Sequence, residues 1–183
     1  IAAIAMMQSS SLRPRTSAAP AKAGGSSGTS HQVEFSGPTA FQYVQQQMAF
    51  GPRIPNTPGH VKTGDWLLSE LRARADTVVV QSFQQKTSKG QTLKLRNFFA
   101  RFRPQASDRI LFVAHWDTRP FADKSANLGQ QRLPVPGAND GASGVAVLLG
   151  IADALKAKPA TVGVDPATLA APGLAWLVLL LVL

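Results

Sequence analysis

Three residues in the second half of the chain carry side chains that could do chemistry together: His115, Asp117 and Asp140. His115 and Asp117 follow an apolar run and stand two residues apart, so in an extended segment their side chains point the same way. The Asp117 carboxylate could then fix the orientation and tautomer of the His115 imidazole. Asp140 precedes a predicted helix, whose positive dipole end favours an ionised carboxylate that can hold a cation. The spacing therefore indicates a candidate cation site.

Each of these residues also has a purely structural interpretation. A His-x-Asp pair at the end of a strand can be a satisfied polar pair, and an aspartate that opens a helix can be an N-cap. The glycine-rich loop 137–144 could alternatively bind a phosphate at a helix N-terminus. Its spacing matches neither common phosphate-binding motif, and an acid in the loop would repel phosphate.

The elements around these residues predict an α/β sheet. The run "RILFVAHWD", residues 109–117, is typical of a strand buried on both faces, and residues 141–158 have the pattern of a helix. A strand, a loop and a helix in this order indicate a crossover to a parallel strand. Ligands of open α/β sheets bind at the carboxyl ends of the strands, where His115 stands.

Further helices and strands are predicted on either side. Two short helices are expected upstream, the first with Phe41, Val44 and Met48 on its apolar face and the second with Trp66, Leu67, Leu71 and Ala75. Residues 77–85 and 92–104 alternate in polarity around a polar turn with one glycine, which predicts a hairpin. The unbroken apolar run at the end, residues 174–183, is too short to span a membrane as a helix. It predicts a buried strand or an exposed, aggregation-prone segment.

Composition limits the classes of partner. The 183 residues carry a formal charge of +9, from 19 Lys and Arg against 10 Asp and Glu. The basic residues are scattered singly or as Arg-x-Arg, with no run of five or more and no aromatic interleaving of the kind that single-strand binders use, so a nucleic-acid partner is not expected. The chain has no cysteine, which excludes disulfides and thiolate metal sites.

Residues 1–33 read as an apolar start followed by a disordered linker rich in Ser, Ala, Gly and Pro. The start could be the end of a signal or anchor segment, or an extension ahead of a true start at Met6 or Met7. From this segment we expect an exported protein, periplasmic or secreted.

The segments "AHWDTRP" and "PGANDGASGVAVLLGIADAL" resemble the glutaminyl-peptide cyclotransferase branch of the zinc aminopeptidase superfamily, and "AFGPRIPNTPGHVKTGDWLLSEL" and "LRNFFARFRP" are similar to its amino-terminal part. The resemblance runs from Phe35 to Asp165. It implies a three-layer α/β/α fold around a mixed sheet, incomplete in this chain. It also implies a zinc-dependent conversion of the amino-terminal glutamine of peptides to pyroglutamate, with release of ammonia. Peptidase relatives hydrolyse amino-terminal residues, so a zinc aminopeptidase is an alternative.

The same resemblance assigns roles to the candidate residues. It implies that Asp140 is a zinc ligand. His115 would be a ligand of the second metal in two-zinc relatives and a neighbour of the site in one-zinc cyclases, with Asp117 supporting it. Trp116 and Arg119 look like signature positions, although packing and a loop salt bridge explain them equally well.

The rest of the family's site does not match this sequence. Its other ligands resemble a glutamate on the strand after the helix and a later histidine, but no glutamate follows Glu70 and no histidine follows His115. A general acid–base carboxylate is missing too, so no catalytic residue is assigned. We therefore expect a truncated or frame-shifted member, with residues 34–165 as the amino-terminal part of the domain and residues 166–183 as an apolar tail unlike the family. A non-catalytic fragment that acts through interaction or aggregation is the alternative to an enzyme, and the oligomeric state stays open.

Overall fold

The computed structural model describes residues 35–170 and the backbone of residues 179–182. The predicted linker, residues 1–33, lies outside the described residues. Three α-helices and five strands occur in the order α1 (Gly37–Ala49), α2 (Pro58–Arg72), β1 (Thr77–Lys86), β2 (Thr92–Arg101), β3 (Arg109–His115), α3 (Ser143–Ala157), β4 (Gly163–Leu169) and β5 (Leu179–Val182). A short 3₁₀ turn at Leu128–Gln130 and a π turn at Ala138–Ala142 lie in the connection between β3 and α3.

The strands form one mixed sheet in the order β1-β2-β4-β3-β5. β1 and β2 are the predicted antiparallel hairpin, with Thr77 opposite Arg101 and Lys86 opposite Thr92. β3 and β4 pair in parallel, and α3 connects them, as a crossover requires. β2 and β5 run antiparallel to their neighbours. The predicted α/β fold with a mixed sheet is confirmed.

The helices cover the sheet as one layer. α3 packs on β3 and β4 and contacts both α1 and α2, while α2 also contacts the hairpin. The described helices thus provide one of the two helical layers of a three-layer fold. Among the described residues, no helix is both long and apolar enough to cross a membrane.

The buried face of α1 differs from the prediction. Phe41, expected in the core, is 61% exposed, whereas Ala40, Tyr43 and Gln47 are buried. The polar pair can be buried because it is hydrogen-bonded: the Tyr43 hydroxyl donates to Asp153 Oδ2 at 2.6 Å, and Gln47 Nε2 donates to the carbonyl of Ala142 at 3.1 Å. The prediction counted apolar residues and missed these partners.

The prediction for α2 is also corrected at its ends. Leu67 and Leu71 are buried as expected, but Trp66 is only half-buried and Ala75 lies beyond the end of the helix at Arg72. The buried face is completed toward the N-terminus by His60 and Thr63. Because His60 and Thr63 are polar, a search for apolar residues at helical spacing did not assign them to the buried face.

β3 is less enclosed than its sequence indicates. Only Val113 and Ala114 are buried, and the other five residues of the strand are half-buried. A strand that reads as continuously apolar needs cover on both faces, and the described helices supply one layer. The expectation of full burial is therefore wrong for this strand in the described structure.

β4 crosses the boundary predicted between Asp165 and Pro166, so the two predicted segments share one strand. Pro166 lacks a backbone N–H, and it is tolerated because the ladder between β2 and β4 skips it: the pairs are Phe98 with Thr168 and Phe99 with Ala167. Part of the predicted terminal strand is present as β5, paired with β3. Residues 171–178 lie outside the described residues.

Candidate metal and substrate site

The structure brings His115 and Asp140 into direct contact. His115 ends β3 at its carboxyl end, and its Nε2 lies 3.1 Å from Oδ1 of Asp140. Asp140 reaches it because the π turn is kinked, with Asp140 at φ −81° and ψ 94° and Gly141 at φ 97°. Only glycine adopts the latter conformation readily.

Asp140 is not an N-cap of α3. The N-cap position is Ala142, and no side chain caps the helix there. The N-cap interpretation of this aspartate is therefore excluded, and its carboxylate faces the imidazole.

Asp117 supports His115 through its main chain as well as its side chain. Nδ1 of His115 lies 3.2 Å from the carbonyl oxygen of Asp117 and 3.8 Å from Oδ1 of the same residue. The Asp117 carboxylate, aided by the charge of Asp140, raises the pKa of His115 although burial opposes this. The side chain of Asp117 is itself almost fully buried.

The contacts of His115 test whether a metal fits. When Nδ1–H donates to the Asp117 carbonyl, a neutral imidazole presents a lone pair at Nε2, facing the lone pairs of Asp140 Oδ1. Two acceptors at this distance need a proton or a cation between them. Imidazole nitrogen and carboxylate oxygen are both zinc ligands, so the donor types fit.

The number of donors does not complete a zinc site. Among the described residues, no group of three or more His, Cys, Asp or Glu side chains is arranged to hold a metal ion. Zinc takes three or four protein ligands. His115 and Asp140 are therefore a partial site.

A cavity of about 720 Å³ opens beside this pair. Its polar side is formed by His115, Asp117 and Asp140, and Ile54, Leu93 and Phe121 contribute apolar surface. This volume is in the range of pockets that take small ligands. Asp123 and Arg119, which form an ion pair of 2.6 Å, also line it.

Trp116 lies beneath the site as a packing residue. It is completely buried, its Nε1 donates to the carbonyl of Arg96 at 3.0 Å, and its ring stacks on His60. Arg119 forms the loop salt bridge with Asp123, and its Nε lies 4.0 Å from Oδ2 of Asp140. The structural interpretations of both signature positions thus hold.

Sequence reasoning missed Arg53. This side chain is 0% exposed and donates hydrogen bonds to main-chain carbonyls on both sides of the site. Burial lowers the pKa of Arg53 to about 10, opposed by the charges of Asp117 and Asp140. The signal available in the sequence was its place between Pro52 and Pro55, which stiffen the loop that carries it.

His60 was missed as well. It is 3% exposed, and burial lowers its pKa to about 4, with smaller effects of Asp117, which raises it, and Arg96, which lowers it. Its ring is therefore neutral at neutral pH, and it packs on the ring of Trp116. The buried face of this helix was predicted from its apolar residues, so a buried histidine could not be recognised from the sequence.

Known proteins similar to this chain are metal-dependent peptidases and glutaminyl cyclases. The sequence profile of peptidase family M28 matches residues 97–170. A glutaminyl cyclase from Bacteroides thetaiotaomicron, solved with N-acetylhistamine bound, is 40% identical with a TM-score of 0.73, and the match covers 75% of this chain and 47% of that protein. The glutaminyl cyclase of Porphyromonas gingivalis is 43% identical with a TM-score of 0.71, over 74% of this chain and 48% of that one.

A Zn-dependent exopeptidase from Parabacteroides distasonis is similar to the same extent, with 38% identity, a TM-score of 0.71 and coverage of 76% of this chain and 50% of that one. The chain spans about half the length of these relatives. No curated protein matches it significantly. Over the part that aligns, the resemblance of this chain to glutaminyl cyclases and Zn-dependent exopeptidases is therefore confirmed.

Proposed function

We propose that this protein carries part of the zinc site of a glutaminyl cyclase, which converts the amino-terminal glutamine of a peptide to pyroglutamate. The observation that supports it is the contact of 3.1 Å between His115 Nε2 and Asp140 Oδ1, two zinc-type donors that meet at the mouth of a cavity. Glutaminyl cyclases and zinc-dependent exopeptidases among the similar structures support the class of reaction.

In this proposal Asp140 and His115 hold the metal, and Asp117 keeps the imidazole in place. Bound zinc supplies Lewis-acid chemistry, the polarisation of a carbonyl group. The described residues contribute only two donors in contact, so no reaction step is assigned to them. Their own task is to present one nitrogen and one carboxylate oxygen in a fixed arrangement.

The cavity suits the end of a peptide. Its carboxylates can attract a protonated α-amine, and Ile54, Leu93 and Phe121 offer apolar contacts to the side chain or to the next residue. An aminopeptidase substrate has the same amine, and the similarity to an exopeptidase makes hydrolysis of amino-terminal residues the second candidate.

An assay on the purified chain with added zinc separates these functions. A cyclase would release ammonia from a peptide that begins with glutamine and leave a pyroglutamyl peptide, whereas an aminopeptidase would release a free amino acid from a peptide that begins with leucine. The Asp140→Asn variant should lose the activity. The matched control is Asp123→Asn, which changes a carboxylate in the same cavity that is paired with Arg119 instead of His115.

Three outcomes are decisive. Ammonia release that disappears in Asp140→Asn and persists in Asp123→Asn supports the cyclase. Release of a free amino acid from the peptide that begins with leucine supports the aminopeptidase and contradicts the cyclase. No turnover of either peptide contradicts an enzymatic function of this chain and favours a non-catalytic fragment.

A further inference from the structure

We propose that Arg53 is a positioning residue that holds the Asp140 turn against the carboxyl end of β3 and thereby fixes the arrangement of Asp140 and His115. The purpose of this arrangement rests on the proposed function. The geometry does not, because it is set by hydrogen bonds within the described chain.

The guanidinium joins two segments that are far apart in the chain. On the side of β3, Nε donates to the carbonyl of Trp116 at 2.8 Å. On the side of the π turn, Nη2 donates to the carbonyls of Gly137 at 2.6 Å and Asp140 at 3.2 Å. Both ends of the clamp are adjacent to, or part of, the candidate ligand residues.

The backbone of Arg53 is held in the same way. Its carbonyl accepts a hydrogen bond of 3.1 Å from the N–H of Thr118, and Nη1 donates to the carbonyl of Pro136 at 3.3 Å. Pro52 and Pro55 restrict the backbone on either side. The arginine is therefore itself fixed before it fixes the turn.

The turn is built around the guanidinium. Gly137 has φ +79°, and a Cβ placed on it would lie 2.5 Å from Nη2 of Arg53, well inside van der Waals contact. Gly141 has φ +97°, and its Cβ would lie 3.4 Å from the same atom. The two glycines let the main chain approach closely enough for its carbonyls to be bonded.

The chemistry requires arginine in particular. The acceptors are carbonyl oxygens in different directions, which a planar fork with several N–H groups can reach together and a single ammonium cannot. The charges of Asp117 and Asp140 nearby offset part of the cost of burying the cation. A lysine would keep the charge and lose the fork.

Arg109 provides a matched control. It lies at the opposite end of β3, donates to both carboxylate oxygens of Asp165 and to the carbonyl of Phe102, and is remote from the cavity. Its replacement tests what the loss of a well-bonded arginine does to this strand in general.

The test compares the full chain with the variants Arg53→Lys, Arg53→Gln and Arg109→Lys. The first measurement is amide hydrogen exchange at Ala142, whose N–H bonds to the Gly137 carbonyl, with Leu148 in the middle of α3 as the internal reference. The second is zinc affinity by calorimetry, with zinc salt alone as the probe. We expect exchange at Ala142 to rise at least about tenfold in both Arg53 variants, with little change at Leu148. We expect zinc affinity to fall about 10- to 100-fold, as for other groups that orient metal ligands.

The outcomes separate this proposal from the proposed function. Normal exchange and zinc affinity in Arg53→Lys would overturn it, because charge alone would then suffice. Equal acceleration at Ala142 and Leu148, or the same result in Arg109→Lys, would also overturn it as general destabilisation. Local acceleration in the Arg53 variants, combined with a wild-type chain that binds no zinc, would uphold the clamp and refute the zinc site. Should both Arg53 variants fail to fold, Pro52→Ala loosens the loop with the arginine intact, and a smaller acceleration at Ala142 is the expected result.

Discussion

The imidazole of His60 stacks on the indole of Trp116, with ring centroids 4.2 Å apart and the planes inclined by 23°. Trp116 stands between His115 and Asp117 in the chain, so this stack anchors the backbone segment that carries both residues. It links the first turn of α2 to the end of β3, and it places an uncharged histidine in the interior. The stability of the site should therefore depend on pH through His60.

Acid should destabilise the protein through His60. Its pKa is about 4 in the folded chain and about 6.5 in an unfolded one. The unfolded state binds more protons between these values, so the stabilisation is complete above the unfolded pKa and is lost as the pH falls toward the folded pKa. About 2 kcal/mol should be lost by pH 5. Urea unfolding of the wild type and of His60→Phe, which keeps the stack without a titrating group, measures the difference.

The comparison with His60→Phe removes the contributions of the other titrating groups, which both proteins share. We expect the free-energy difference between the two proteins to change with pH between about 6.5 and 4 and to be flat above. A difference independent of pH would show that folding does not lower the pKa of His60 and would refute its place in the interior.

The parts of the fold with strong local signals were predictable. The hairpin β1–β2 alternates in polarity around a glycine turn, and β3 and α3 have unmistakable strand and helix patterns. The same logic located His115 at the carboxyl end of β3 and Asp140 ahead of α3, and the structure brings the two together. Element type, and with it the placement of His115 and Asp140, follows from periodicity, which is a local property.

The interior polar groups were not predictable in this way. Arg53, His60 and Gln47 are buried because of partners distant in the chain, such as the Ala142 carbonyl for Gln47. A hydrophobic pattern treats such residues as surface. The exposed Phe41 shows the converse error, since an apolar residue on a short helix need not face the core.

Gly137→Ala should destabilise the protein by more than the cost of backbone strain alone, because the added Cβ would also overlap neighbouring side chains. Gly137 and Gly90 both have φ +79°, but a Cβ at Gly137 would overlap the Thr118 methyl group and Arg53, whereas Gly90 has open space. Strain in this conformation costs about 1–2 kcal/mol at either position. We expect Gly137→Ala to cost more than Gly90→Ala by at least about 1 kcal/mol in urea unfolding. Equal costs would mean that the turn is not packed against the arginine.

Trp116→Phe should destabilise the chain by roughly 2–3 kcal/mol, because it leaves a void beside His60 and removes the donor to the Arg96 carbonyl. Trp66→Phe is the control, since Trp66 is half-buried and contacts Phe50 at a ring distance of 6.1 Å. Its cost should stay below about 1 kcal/mol. Thermal unfolding of both variants measures the two losses of stability. Equal losses in Trp116→Phe and Trp66→Phe would contradict the packing role of Trp116.

The most direct test of the zinc site is a calorimetric zinc titration of the purified chain and of Asp140→Asn, with Asp123→Asn as the control. We expect one zinc per chain, an affinity at least about tenfold weaker in Asp140→Asn, and no change in Asp123→Asn. A chain that binds no zinc, or that binds it equally well without the Asp140 carboxylate, would contradict the claim that His115 and Asp140 form part of a metal site.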